Sequence, residues 1–153
     1  MDSEQSPVWA DRRKALDPTI YKVQYYPINI QVEGFQGGVG SGSVTLKNTP
    51  FVLDHITHTI VGAVDRDDQD GQYSILWRDD RNTYMRNPVM ANAGFGSVYC
   101  GPLILLPLRQ FFKGSTTFTV DIVNFRNRGS SPFPPWNLQI VFHGFERWDE
   151  IRD

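Results

Sequence analysis

The chain has 153 residues, 40% hydrophobic and 13% aromatic, with a formal charge of −2. That length suits one domain with one core, the aromatic content excludes global disorder, and the acidic balance speaks against nucleic acid as the main partner. No run approaches the roughly 20 apolar residues that span a bilayer, so a membrane partner is not expected.

The acidic start Met1-Asp2-Ser3-Glu4-Gln5 does not resemble a signal peptide, and the lone Cys100 allows no intramolecular disulfide, which fits a reducing compartment. Residues 1–20 read as an N-terminal arm. Trp9 and Leu16 are isolated around Asp11-Arg12-Arg13-Lys14, leaving room for no more than a short helical turn from Ala10 to Leu16. The arm is either a frayed terminus or a segment that docks on a neighbouring subunit, anchored by Trp9 with Arg12 and Arg13 beside it.

Residues 21–148 read as a β domain, followed by a tail at 149–153. The first strand, Tyr21 to Val32, contains Pro27, which places it at an edge or breaks it between two sheets. Gly34 to Gly42 reads as a glycine-rich hairpin loop, Ser43 to Lys47 as a short strand and Phe51 to Gly62 as a longer one. After the acidic tip Asp65 to Gly71, Tyr73, Ile75 and Trp77 share one face of a strand ending at Arg78. Arg78 to Gly96 is irregular, and Ser97–Cys100 and Leu103–Leu106 return to apolar strand. Phe118, Val120 and Ile122 then alternate with Thr117, Thr119 and Asp121, the period of a half-buried strand. A loop with Pro132, Pro134 and Pro135 separates it from a last strand, Asn137 to Phe145. About eight short strands joined by turns predict an all-β fold, an antiparallel β-sandwich or jelly roll.

The glycine run is no phosphate loop, because it opens the strand Ser43-Val44-Thr45-Leu46 instead of a helix. Counting back from Gly71, calcium-loop ligand positions fall on Arg66 and Trp77, both of the wrong type, although an irregular cation loop of Asp65, Asp67, Asp68 and Asp70 stays open beside a solvated tip. His55 and His58, three apart on a strand, point to opposite faces and cannot jointly hold a metal. Cys100 sits among Val98, Tyr99 and Leu103 as a small buried hydrophobe. No catalytic residue, metal or cofactor is therefore expected. Arg78, Arg81 and Tyr84 have the arginine–aromatic composition of interfaces, and a subunit contact there competes with a solvated loop. Phe133-Pro134-Pro135-Trp136 reads as a cap on the core.

Several stretches resemble small virion proteins of tailed bacteriophages: Tyr26-Pro27-Ile28-Asn29-Ile30, Pro50 to His58, Asp70-Gly71-Gln72-Tyr73, Phe95-Gly96-Ser97, Leu103 to Leu106, Phe112 to Thr116, and Phe142-His143-Gly144-Phe145-Glu146. The resemblance covers roughly residues 21–148. It implies a jelly-roll particle component made in the host cytoplasm: a head decoration (cement) protein, a capsid fibre base, or a neck protein. Its partners would be the major capsid protein or other virion subunits, with a homo-oligomer, guessed as a trimer, as the assembled form. The expected contacts are Trp9, Arg12, Arg13, Arg78, Arg81 and Tyr84. Other expectations are a tail or fibre component, or a carbohydrate-binding module using Trp77, Tyr84 or Trp136 as an exposed platform. An enzyme resting on Cys100 and the histidines is the weakest.

Overall fold

Where apolar and polar side chains alternate, a strand can turn one face to water and bury the other. The computed structural model describes residues 9–11, 16–62, 72–80, 88–91, 108–126 and 134–147, with the backbone alone for 9–11 and 108–109. These residues contain β1 (Trp9–Asp11), β2 (Tyr21–Val32), β3 (Val39–Thr45), β4 (Phe51–Ile60), β5 (Tyr73–Asp79), β6 (Val89–Met90), β7 (Leu108–Phe112), β8 (Thr117–Asn124) and β9 (Trp136–Arg147).

The fold is all-β, with two antiparallel sheets ordered β1-β7-β4-β9-β2 and β3-β8-β5-β6. From β2 onward the chain changes sheet at every step except β5 to β6. Neighbours in a sheet are therefore distant in sequence. β2 pairs β9 along its whole length, from Tyr21↔Arg147 to Val32↔Trp136.

The inner faces follow the alternation. Tyr26, Ile28, Ile30 and Val32 of β2, Phe118, Val120 and Ile122 of β8, and Leu138, Ile140 and Phe142 of β9 are all buried in one core. Phe118 is its centre, with ring centroids 4.7 Å from Phe112 and Phe142 and 5.5 Å from Trp77, inside the range where tilted aromatic pairs attract. Tyr73, Ile75 and Trp77 do share the inner face of β5.

Pro27 takes the edge position, one of its two expected places, and does not break its strand, while several other expectations need correcting. β2 runs through it as the outer strand of its sheet, where a missing ladder donor is tolerated. Nor is Gly34 to Gly42 all loop, because Gly40 and Gly42 belong to β3. A Cβ at Gly40 would lie 2.6 Å from the Gln31 carbonyl oxygen, and one at Gly42 would lie 2.6 Å from Ile28 Cγ2. These glycines let the edges of the two sheets approach, which is a packing role and not a hinge. Ala10 and Asp11 are in β1, not a helical turn. The turn comes later, where Tyr21 N–H donates to the Asp17 carbonyl at 2.9 Å and the Asp17 side chain accepts from Thr19. Strand β7 at Leu108–Phe112 is additional to the strands that the sequence pattern marks. The strands expected at Ser97–Cys100 and Leu103–Leu106, the acidic tip at Asp65 to Gly71 and the tail at 149–153 lie outside the described residues.

Candidate functional site

In β4 the apolar positions in the core cluster are Phe51 and Leu53, then Ile56 and Ile60, while Val52 is buried outside that cluster. The parity changes once, and the pairing register with β9 shifts between Leu53 and His55. A β-bulge at Asp54 absorbs the extra residue, and such bulges re-aim side chains. Here Asp54 and His55 both come to the outer face of the sheet, whereas His58 reaches inward to hydrogen-bond the Tyr73 hydroxyl of the opposite sheet. His55 and His58 thus lie on opposite faces.

The cross-strand partner of His55 is His143, and their rings stack with centroids 4.3 Å apart and planes 7° from parallel. Asp54 Oδ2 lies 3.0 Å from His55 Nδ1, Thr57 Oγ1 lies 2.7 Å from His143 Nε2, and Tyr25 of β2 meets His143 edge-on at 5.1 Å. Burial pushes the His143 imidazole below its ordinary value, the neighbouring His55 adds to that shift, and Asp54 opposes it. Val23, Tyr25, Asp54, His55, His143, Gly144 and Phe145 enclose a shallow depression of about 280 Å³. Tyr25 at its rim is 55% exposed. Sequence distance hid this cluster, since His143 lies far from His55 in the chain. The parity switch between Leu53 and Ile56 was the available signal.

A second feature lies at one end of the sandwich, around the fully buried Asn124. Its Nδ2 donates to the carbonyls of Glu33 and Phe35, both at 3.1 Å, and its Oδ1 accepts from Arg126 N–H at 2.9 Å. Its backbone exchanges hydrogen bonds with Gly37 and Gly38. The loop after β2 is thereby fixed, yet Phe35 and Phe125 remain 48% and 46% exposed, with Val39 exposed at the start of β3.

Of the six residues expected at contacts, Arg78 is on the outer face of β5, 45% exposed and 3.2 Å from Asp121 of β8. Trp9 is in β1, whose backbone pairs with β7. Arg12, Arg13, Arg81 and Tyr84 lie outside the described residues, as does Cys100. Trp77 and Trp136, expected as an exposed sugar platform, are 4% and 8% exposed. Their rings face the core because both stand on the inward parity of their strands, and Trp136 packs on Tyr73 at 5.5 Å. Among the described residues, no three metal-ligating side chains converge and no helix is long and apolar enough to cross a membrane. No known protein-family model, curated protein or solved structure matches the chain.

Proposed function

We propose that the chain is a structural subunit of a tailed-bacteriophage particle, a jelly roll that decorates the head and stabilises it through subunit contacts. The observation that carries this reading is the strand order. β2-β9-β4-β7 facing β3-β8-β5-β6 is what two interleaved Greek keys produce, and β1 adds a strand outside β7. This architecture is shared by viral capsid domains. The fixed end carrying Phe35, Val39 and Phe125 supports a contact role, because a surface already ordered loses little entropy on docking. The partners in this reading are the main shell protein or further copies of this chain, assembled as a trimer. Trp9 of β1, Arg78 of β5, and Arg12, Arg13, Arg81 and Tyr84 remain the proposed contacts. Quantitative mass spectrometry of sedimented particles tests this. Copy numbers comparable to the shell protein support decoration, a sparse count moves the chain to neck, tail or fibre, and absence from the particle refutes the reading.

A second reading, a carbohydrate-binding module, is favoured by one observation. The exposed Tyr25 ring borders a depression that also offers Asp54 and His55 as hydrogen-bonding groups. Binding on a glycan array that is lost in Tyr25→Ala supports it, and an array without signal removes it.

A further inference from the structure

The outer seam between β4 and β9 joins two titratable rings at the point where the ladder is already interrupted by the bulge at Asp54. The groups facing His143 come from three strands. β4 contributes Asp54, His55 and the Thr57 hydroxyl, and β2 contributes Tyr25. On β9 itself Val141 and Phe145 flank the ring, with Arg147 one outer position beyond Phe145. Two neutral rings, or one neutral and one protonated, stack at 4.3 Å without penalty, but two imidazolium cations at that separation repel.

We propose that the His55–His143 pair is an acid-sensitive latch on the β4–β9 seam, closed while at most one ring is protonated and opened by the second proton. The two rings differ in their neighbours: His55 Nδ1 lies 3.0 Å from the Asp54 carboxylate, whereas His143 Nε2 lies 2.7 Å from the Thr57 hydroxyl. His143 takes the second. Burial and the adjacent His55 both oppose its protonation, so the folded chain binds that proton less readily than the unfolded chain does. The latch is therefore intact above the ordinary histidine range and weakens as pH falls below it. Opening starts at the bulge, where ladder bonds are fewest, and releases Tyr25 from its edge contact with His143.

The test is a ring-resolved NMR titration of the whole chain from pH 8 to pH 4.5, with amide exchange followed at Thr57 and Val141. The expected result is two unequal steps, with His143 second. Exchange at both amides, corrected for its intrinsic pH dependence, should then rise at least tenfold across the second step. His55→Gln should move the His143 step to higher pH, and His143→Gln should abolish the acceleration. Overlapping single-site curves for the two rings, or unchanged exchange across the second step, would overturn the latch. The wild-type titration decides this even if a variant fails to fold.

Discussion

Gly144 is the position where one added methyl group should do most damage. It stands on the inner parity of β9, and a Cβ there would lie 2.0 Å from the Val52 carbonyl oxygen and 2.7 Å from Phe51 Cζ. A carbon and a carbonyl oxygen rest at about 3.3 Å or more, so something must move by more than about 1 Å. The oxygen cannot move cheaply, because Val52 is paired on both sides, with Phe111 of β7 and Phe145 of β9. The Phe51 ring is fully buried against Tyr26 and Phe118. Overpacking a core usually costs about 1–3 kcal/mol, and a clash with fixed backbone belongs at or above the top of that range. Gly144→Ala should therefore lose about 3–4 kcal/mol, which for a domain of this size lowers Tm by roughly 10 °C. Heat and urea unfolding, followed by the fluorescence of buried Trp77 and Trp136, measure it. Gly37→Ala is the control. It meets no atom within 4 Å, but its φ of 87° makes alanine strained, at a cost of about 1–2 kcal/mol. If Gly144→Ala loses no more than Gly37→Ala, the steric argument is wrong.

Asn124→Ala removes two hydrogen bonds to the turn after β2 and one from Arg126 N–H, and should cost about 2–3 kcal/mol, with faster amide exchange at Gly37 and Gly38. Unchanged exchange there would mean that backbone pairing alone fixes the loop. Gln110 is buried with neither side-chain polar atom hydrogen-bonded, so Gln110→Met should raise stability by about 1 kcal/mol in urea. A loss instead would show that the amide is satisfied by water. Burial raises the Tyr26 hydroxyl above its usual value and Glu146 adds to this, against a lowering from the Lys47 N–H bond. The unfolded chain ionises first, so this contribution is intact below about pH 10 and is lost as pH rises through the folded value. Tyr26→Phe should flatten the stability loss between pH 9 and pH 11, and an unchanged slope would assign that loss to other groups.

Much of the inside and outside of this fold was legible locally. Phe118, Val120 and Ile122 alternate with threonine and aspartate in the chain, and the same residues alternate between core and surface in β8. Tyr73, Ile75 and Trp77 behave alike in β5, which also places Trp77 in the core and away from any sugar. The site was less legible. The switch of apolar parity between Leu53 and Ile56 is written in the chain, yet it reads as an irregularity until a partner strand shows that it is a bulge. Gly40 and Gly42 look like turn residues until Ile28 and Ile30 are seen against them.

Alternation along the chain was enough to establish an all-β fold and, in strands such as β5 and β8, which side chains face the core. Which strands are neighbours came from the packed fold: β2 lies beside β9, His55 meets His143, and the glycines of β3 lie against β2. The physical reason is that a period of two specifies a face but no partner. Many apolar strands can pair acceptably with one another, and the choice among them is made when both sheets close over one core.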